Sequence, residues 1–326
     1  MKKILIVGGA GYIGSHMVKH LVDHGYAPLV LDDLSKGHAD AVPEGRLVQG
    51  DLGDRRLLAE LFGSHHFEAV MHFAAFIEVG ESMAQPARYF HNNICKTLVL
   101  LDAMREHGVG NFIFSSTAAV YGEPRQIPID ELHPLAPINP YGFSKFAVEQ
   151  ALRDYDRAYG LRFTALRYFN AAGADPEGAL GERHSPESHL IPLVLEAAAG
   201  TREAITIFGQ DYDTPDGTCI RDYIHVADLC QAHRLAMERL WAGGDSTAYN
   251  LGNGQGFSVR EVIDTAGRVT GRRIPVRLGA RREGDPARLV AESRKAREEL
   301  AWRPEYADLE TIVAHAWAFK SRRQEG

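Results

Sequence analysis

The first thirty residues combine a strand, a glycine-rich turn and a helix, and this arrangement restricts the fold of the 326-residue chain most. A short β-branched run from Lys3 to Val7 ends in Gly8-Gly9-Ala10-Gly11-Tyr12-Ile13-Gly14. The apolar spacing from Ser15 to His24 then predicts a helix. Glycines let a backbone approach a pyrophosphate closely, and the amides at a helix start favour its negative charge. We therefore predict a dinucleotide-binding turn formed by Gly8, Gly11, Tyr12, Ile13 and Gly14.

A second strand and the acid after it indicate which dinucleotide binds. Residues 28–31 read as a strand that ends in Asp32-Asp33, and Asp32 comes 18 residues after Gly14. A carboxylate at roughly 20 residues beyond the glycines meets the adenosine ribose hydroxyls and would repel a 2′-phosphate. Asp32 and Asp33 therefore favour NAD over NADP as the cofactor, although Lys36 nearby is a counter-argument.

Strands and helices continue to alternate along the first half of the chain. Strands are predicted at 46–49, 68–75 and 111–116, with a long helix at 88–106. This order predicts an α/β fold with a Rossmann-type, doubly wound parallel sheet that binds its ligand at the carboxyl ends of the strands. Asp51 could contact the adenine amine or cap a helix, with equal support for each. The cofactor candidates at these strand ends and on the helix are Asp51, Leu52, Phe73, Ala74, Ala75, Asn92 and Ser115.

Tyr141 and Lys145 lie four residues apart in a stretch that reads as the first turn of a helix, after Asn139-Pro140. This spacing places both side chains on one helix face. Keeping a tyrosinate at neutral pH requires about 4 kcal/mol, which one nearby cation can supply. A YxxxK pattern alone is more often an ordinary helix start, so the hypothesis of Tyr141 as a base depends on the nucleotide fold and on Thr117 at the preceding strand end.

Composition excludes several classes of protein. The formal net charge of −7 argues against a nucleic-acid surface, which needs a basic stripe. Three scattered cysteines indicate a reducing compartment, and the 15 histidines contain no HExxH or HxH pairing, so no metal is expected. No stretch reaches the ~18 apolar residues of a membrane span. We expect a soluble, cytoplasmic protein with no membrane partner.

Several ordered segments, together with the glycine pattern and YxxxK, resemble the extended short-chain dehydrogenase/reductase superfamily and, within it, the UDP-sugar 4-epimerases. They run over nearly the whole chain and comprise 115–122 (SSTAAVYG), 166–170 (LRYFN), 216–218 (DGT), 221–225 (RDYIH), 249–252 (YNLG) and 281–285 (RREGD).

The resemblance implies an NAD-dependent isomerase that interconverts UDP-glucose and UDP-galactose. In such an enzyme the hydride on sugar C4 passes to NAD, the 4-keto sugar rotates, and the hydride returns to the opposite face. Tyr141 would be the base, Lys145 would lower its pKa and hold the nicotinamide ribose, and Thr117 would orient the substrate oxygen. Tyr168 is assigned to the cofactor, with core packing as the alternative.

The substrate contacts are also assigned by resemblance and lie mainly in the second half. The planar donor forks of the two arginines suit the diphosphate. The positions that match groups holding UDP and the sugar are Thr117, Tyr141, Asn170, His189, Leu190, Phe208, Arg221, Arg282 and Asp285.

Other functions fit less well or stay open. Related 4,6-dehydratases place an Asp-Glu pair directly after the threonine, where this chain has Ala118-Ala119. A non-catalytic NAD-binding regulator would have no need of Tyr141 and Lys145. A 4-epimerase of UDP-N-acetylglucosamine, UDP-glucuronate or a UDP-pentose remains the alternative. Leu289 stands where family members differ in size, and our hypothesis is partial tolerance of the N-acetylated sugar.

The chain shows no low-complexity linker, but its composition shifts after Gly173. We predict an NAD-binding domain at 1–173, which also includes about 219–242, and a UDP-sugar-binding domain at 174–326. The helix of Tyr141 carries two apolar stripes, where a surface helix needs only one. The second stripe, formed by Phe143, Ala147, Ala151 and Ala158, predicts a homodimer.

Overall fold

The computed structural model describes residues 1–282 and 285–325. Glu283 and Gly284, which belong to the segment 281–285 quoted above, lie outside the described residues. The strands are β1 Lys3–Val7, β2 Ala27–Asp32, β3 Leu47–Gln49, β4 Ala69–His72, β5 Asn111–Thr117, β6 Arg162–Tyr168, β7 Asn170–Ala172, β8 Ile205–Phe208, β9 Ile220–Arg221, β10 Tyr223–His225, β11 Thr247–Leu251, β12 Phe257–Ser258, β13 Val276–Gly279 and β14 Arg288–Leu289. The α-helices are α1 Tyr12–Asp23, α2 Arg55–Ser64, α3 Val79–Ala84, α4 Pro86–Tyr89, α5 Lys96–Glu106, α6 Pro140–Tyr159, α7 Leu190–Ala199, α8 Val226–Trp241, α9 Val259–Thr270, α10 Arg294–Glu299 and α11 Leu309–Glu325.

A seven-stranded parallel sheet forms the centre of the molecule, which confirms the predicted fold class. Its strand order is β11-β6-β5-β4-β1-β2-β3. The order reverses beside β1, because the chain winds outward first through β2 and β3 and then through β4, β5 and β6. Such a switch point places a crevice at the carboxyl ends of the strands.

Both faces of this sheet are covered by helices, because its strands are apolar on both sides. In β1, Ile4 and Ile6 pack with α1 and α8, while Leu5 and Val7 pack with α2, α5 and α6. Successive strand residues point to opposite faces, so one continuous apolar run serves two cores.

A second group of elements stands beside the carboxyl edge of the sheet. It contains three small sheets, β7 with β10, β8 with β13, and β9 between β12 and β14. A separate apolar core joins α7, α9 and α11. Between the parts of this group, the chain returns to the main sheet through α8 and β11, so the main sheet draws on residues 226–251. The division into domains at 1–173 and 174–326 stays a prediction.

Several predicted boundaries need correction. The first helix begins at Tyr12 rather than Ser15, which places Gly14 inside it. The strand predicted at 68–75 ends at His72, because the amides of Phe73 and Ala74 both donate to the carbonyl of Val7 and the chain leaves the ladder.

The helix predicted at 88–106 is interrupted by a π-helix at Phe90–Cys95. Inside it, the Asn93 amide donates to the carbonyl of Phe76 at 3.0 Å and to Ser144 Oγ at 3.0 Å, while its oxygen accepts from the Phe76 amide at 2.9 Å. These tertiary bonds fix a wider turn, a feature that is frequent at functional sites.

Asp54, and not Asp51, caps α2, so the alternative of Asp51 as an N-cap is wrong. The Asp54 carboxylate accepts from the amides of Arg56 and Leu57. Asp51 instead accepts from the Gly53 amide and pairs with Lys96 at 2.6 Å. By contrast, the predicted entry of the Tyr141 helix is confirmed: the Asn139 side chain accepts from the Gly142 amide at 2.8 Å, and Pro140 is the first helical residue.

Among the described residues, no helix is long and apolar enough to cross a membrane.

The turn between β1 and α1 requires glycines, because its backbone is in direct contact with other backbone segments. A Cβ atom at Gly14 would lie 2.1 Å from the carbonyl oxygen of Gly8, and one at Gly8 would lie 2.5 Å from the amide nitrogen of Ala74. Gly8 also has a φ of +80°, which other residues rarely adopt.

We expect Gly14→Ala to lower the free energy of unfolding by about 3 kcal/mol or more, because no side-chain rotation can relieve a clash with backbone. Denaturant unfolding measures the change. Gly63→Ala is the matched control, since Gly63 also lies in a helix but a Cβ there meets no atom within 4 Å. The control should be unchanged or up to about 1 kcal/mol more stable. Equal stability of the two variants would contradict the steric argument.

Candidate active site

A cleft of about 960 Å³ runs along the carboxyl edge of the main sheet and continues to the second group of elements. It brings together most of the residues singled out in the sequence. Those that line it are Gly8, Gly11, Tyr12, Ile13, Gly14, Asp32, Asp33, Leu52, Phe73, Ala74, Ala75, Asn92, Ser115, Thr117, Tyr141, Lys145, Tyr168, Asn170, His189, Arg221, Arg282 and Asp285.

Three candidates do not line the cleft. Asp51 is exposed and paired with Lys96, which itself lines the cleft. Leu190 begins α7 and packs against the core of the second group. Phe208 lies beside the cleft, where its ring carries the Arg282 guanidinium at 4.0 Å. Their assigned contacts stay predictions.

The nucleotide end of the cleft is built from the glycine turn and Asp32. Helix α1 starts at this turn, and Gly11 at its N-cap position provides no side-chain acceptor for the first amides. The first backbone amides of α1 are hydrogen-bond donors, and the glycines of the turn have no Cβ atoms. Both features suit a pyrophosphate. Asp32 accepts from the Ala10 amide and from the Leu34 amide, each at 2.9 Å, so it holds the turn against the end of β2.

Lys36, the counter-argument to NAD, contacts two other groups. Its ammonium donates to the carbonyl of Ser185 at 3.2 Å and lies 3.9 Å from a Glu78 carboxylate oxygen. The lysine therefore connects the segment after β2 to other parts of the cleft wall. These contacts engage the charge that a 2′-phosphate would use.

The chemical end of the cleft lies where β5, β6 and α6 meet. Ser115 and Thr117 are among the last residues of β5. Tyr141 and Lys145 face them from the start of α6. Lys145 is buried and donates to the carbonyl of Ser115 at 2.8 Å, with its ammonium 4.9 Å from the centre of the Phe114 ring. The hydroxyl of Tyr168 hydrogen-bonds Ser115 Oγ and lines the cleft, where core packing was the alternative.

Burial changes the acid strength of both key groups. It lowers the pKa of Lys145 to about 7, against a smaller opposite effect of Glu149. It raises the pKa of Tyr141, although a hydrogen bond with Thr117 acts in the other direction. The Tyr141–Lys145 spacing predicted a lowered phenol pKa, whereas the pKa of Tyr141 in the chain alone is raised. The difference arises because the spacing argument omits desolvation.

A buried ionic network fixes the position of α6. Glu149, one turn after Lys145, accepts from Arg167 of β6 at 2.9 Å and from Ser116 of β5 at 2.6 Å. Arg167 also donates to Tyr121, which in turn donates to Asn250. Charges this deeply buried are stable only when every donor and acceptor has a partner. The network thus holds the face of α6 that carries Tyr141 and Lys145 in register with two strands.

The far end of the cleft carries the arginines. Arg221 ends β9 and pairs with Asp285, while Arg282 stacks on Phe208. Asn170 starts β7 and donates to the carbonyl of Asp222 at 3.2 Å. Two guanidinium groups at one end of a cleft offer donors to a diphosphate.

The sequence reading missed one part of the wall, the loop 182–189 before α7. Glu182, His184, Ser188 and His189 line the cleft, yet only His189 was a candidate. Burial alone would raise the pKa of Glu182, but hydrogen bonds from His184 and His189 outweigh it and lower the pKa to about 2. The signal in the sequence is the spacing Glu-x-His-x-x-Glu-x-His from 182 to 189, which places four chemically active side chains in one short loop.

Comparisons with known proteins agree with this geometry. The pattern of the NAD dependent epimerase/dehydratase family matches residues 4–252. A UDP-glucose 4-epimerase of Halalkalibacterium halodurans is 54% identical over 323 residues, which cover 99% of this chain and 97% of that protein.

Two solved structures are similar over almost the whole chain. The UDP-glucose 4-epimerase of Brucella ovis, in complex with NAD, is 51% identical with a TM-score of 0.95, covering 97% of this chain and 98% of that one. The UDP-glucose 4-epimerase of Bifidobacterium longum, in complex with NAD+ and UDP, is 36% identical with a TM-score of 0.94, and the match covers 100% of both chains.

Proposed function

The chain belongs to the NAD-dependent epimerase/dehydratase family, and we propose that it interconverts UDP-glucose and UDP-galactose. The proposal rests on one observation: Thr117, Tyr141 and Lys145 line the same cleft as the glycine turn and Asp32. An acid–base pair beside a dinucleotide site provides the proton and hydride transfer needed to oxidise a carbinol carbon and to reduce it again.

NAD is the cofactor of this reaction, and the residues of the cleft fit it. Gly8, Gly11 and Gly14 would admit the pyrophosphate, Asp32 the adenosine ribose, and Lys145 the nicotinamide ribose. When bound, NAD accepts the hydride from sugar C4 and returns it to the opposite face. The chain's own residues must then move one proton and hold the substrate.

Tyr141 is the proposed base, with Thr117 and Lys145 as its partners. Thr117 and Tyr141 line the same cleft from the end of β5 and the start of α6, and a sugar hydroxyl bound between them would lie next to both oxygens. Desolvation disfavours a lone tyrosinate and a lone ammonium alike, whereas each charge stabilises the other when both are present. Lys145 therefore contributes most when Tyr141 has given up its proton.

The side chains next to Thr117 separate epimerisation from dehydration. Ala118 and Ala119 line the cleft with methyl groups. Elimination of the C6 hydroxyl needs a proton donor beside the leaving group, and methyl groups offer none. Reduction is therefore the reaction that we expect of the 4-keto sugar in this site.

We expect Tyr141→Phe to reduce the conversion of UDP-galactose to UDP-glucose by about 10²–10⁴-fold, because it removes the proton acceptor but keeps the ring. The assay is product formation by purified protein without added NAD. Tyr159→Phe is the control, since Tyr159 lies exposed at the other end of α6 and should keep full activity. A Tyr141→Phe variant as active as the control would exclude Tyr141 as the base.

Leu289 supports a second, weaker activity. It is the last residue of β14, lines the cleft and packs with Phe146 and Phe169 against a small core. A leucine side chain takes up less room than an aromatic ring, which leaves space for a larger sugar substituent. We infer partial tolerance of UDP-N-acetylglucosamine.

We expect the chain to convert UDP-N-acetylglucosamine at a measurable rate below that on UDP-glucose. Leu289→Tyr should lower the ratio of N-acetylated to plain turnover by about 10–200-fold, the range that pocket size gives. Leu278→Tyr, at a leucine that is 62% exposed, is the control and should leave the ratio unchanged. No detectable N-acetyl turnover by the unmodified chain would sink the idea.

We also propose that the protein is a homodimer. Phe143 of α6 is 46% exposed, and it packs edge to face on Phe90 at 5.6 Å. Ala147 and Ala151 continue this strip and are only partly covered. An apolar strip along two neighbouring helices is well suited to pack against its own copy around a two-fold axis.

Analytical ultracentrifugation at micromolar concentration should show a dimer. Ala147→Glu should shift the protein to monomer, because it would bury a carboxylate at a symmetric contact. Arg153→Glu, at an exposed position of the same helix, is the control and should stay dimeric. A monomer of the unmodified chain under these conditions counts against the proposal.

A further inference from the structure

The loop 182–189 gathers four side chains that are typical metal ligands. Glu182, His184, Glu187 and His189 each present one ligand atom, and these atoms all lie within 4.8 Å of one another. They come from one segment of eight residues, which ends at the start of α7.

The individual distances match a small coordination sphere. Nδ1 of His184 lies 2.9 Å from Glu182 Oε1, and Nδ1 of His189 lies 2.7 Å from the same oxygen and 3.1 Å from Glu187 Oε1. In tetrahedral coordination with bonds of about 2.0–2.2 Å, neighbouring ligand atoms are roughly 3.4 Å apart. The four groups therefore need shifts of only a few tenths of an ångström to about 1 Å to enclose an ion.

Burial and charge favour a cation at this position. The side chains of Glu182 and Glu187 are each 7% exposed, so two carboxylates are largely removed from water. The other two groups are imidazoles, which are neutral when they bind a metal. A divalent ion would balance the charge of the four-ligand set.

Contacts with a neighbouring segment hold the loop in place, and a second cavity gives an ion access to the four side chains. The loop is tied to the segment after β2, because Arg183 pairs with Asp40 at 2.8 Å and its carbonyl contacts His38 at 2.9 Å. A second cavity of about 250 Å³, separate from the main cleft, is lined by Glu182, His184 and Glu187. An ion can thus reach the ligands without passing through the main cleft.

We propose that Glu182, His184, Glu187 and His189 bind one divalent transition-metal ion, of which zinc fits best, and that this ion fixes the loop against the cleft. Two nitrogen and two oxygen ligands from the chain fill a tetrahedral sphere, which is the arrangement of a structural rather than a catalytic zinc site. A metal on Nδ1 of His189 leaves its Nε2–H available for the substrate contact assigned above.

The test uses the full chain after dialysis against a chelator and then metal-free buffer. Isothermal titration with Zn²⁺ should show one site per chain, and the Co²⁺ form should give the intense visible bands of tetrahedral coordination. The double variant H184N/E187Q should bind Zn²⁺ at least about 100-fold more weakly. H66N/E68Q, which removes a neighbouring histidine and glutamate outside this loop, should bind like the unmodified chain.

Two further measurements separate loss of ligands from loss of folding and test the clamp. H184C keeps a metal-binding side chain and should restore Zn²⁺ binding with tetrahedral Co²⁺ spectra. Zn²⁺ should slow cleavage by trypsin after Arg183 in the unmodified chain but not in H184N/E187Q. The site is overturned by no saturable Zn²⁺ binding, or by equal affinity in H184N/E187Q, and the clamp is overturned by cleavage that Zn²⁺ does not slow.

Discussion

The close passage of the β1–α1 turn over the end of the sheet is the constraint on which the rest of the site depends. The carbonyl of Gly8 lies where a Cβ atom of Gly14 would be, and Ala74 lies where a Cβ atom of Gly8 would be. Because these three backbone segments touch, the start of α1 opens onto the carboxyl ends of β1 and β4. Asp32 then fixes the same turn from the end of β2. The glycine turn at the cofactor end is thus held by main-chain contacts and one carboxylate.

The chemical end is held by a different interaction, the buried network of Glu149 and Arg167. Tyr141, Lys145 and Glu149 are spaced four residues apart and so lie on one largely buried face of α6, where the ionic contacts of Glu149 set the position of the other two side chains. A buried pair of this kind adds little net stability but disfavours any other register of the helix. The proton-transfer groups are therefore held in place relative to Thr117 by contacts that take no part in the chemistry.

Local patterns in the sequence were enough for strands β1 to β5 of the main sheet, and they were clearest where the strand, glycine, helix and acid of residues 3–32 follow one another directly, whereas β6 and β11 were not predicted. They failed where the decisive contact is distant. The π-helix at 90–95 depends on bonds from Asn93 to Phe76 and Ser144, and neither partner is visible in the periodicity of the helix. Asp51 was considered as a cap, and only the start of α2 at Arg55 shows that Asp54 takes this role. The pKa of Tyr141 was misjudged because four-residue spacing describes a charge nearby but not the loss of water around it.

The two ends of the cleft have opposite binding requirements, because the nucleotide must be held tightly and the sugar loosely. A sugar that is to be reduced on its other face must turn while its nucleotide stays bound, so affinity has to be concentrated away from C4. In the proposed function, Arg221, Arg282 and Asp285 at the far end would provide such affinity, whereas alanines stand at 118 and 119 directly after Thr117. Methyl groups there neither hold the sugar in one orientation nor offer a proton to its C6 hydroxyl. In the proposed mechanism the same two side chains would therefore leave the sugar room to rotate and provide no acid for elimination, which favours return of the hydride.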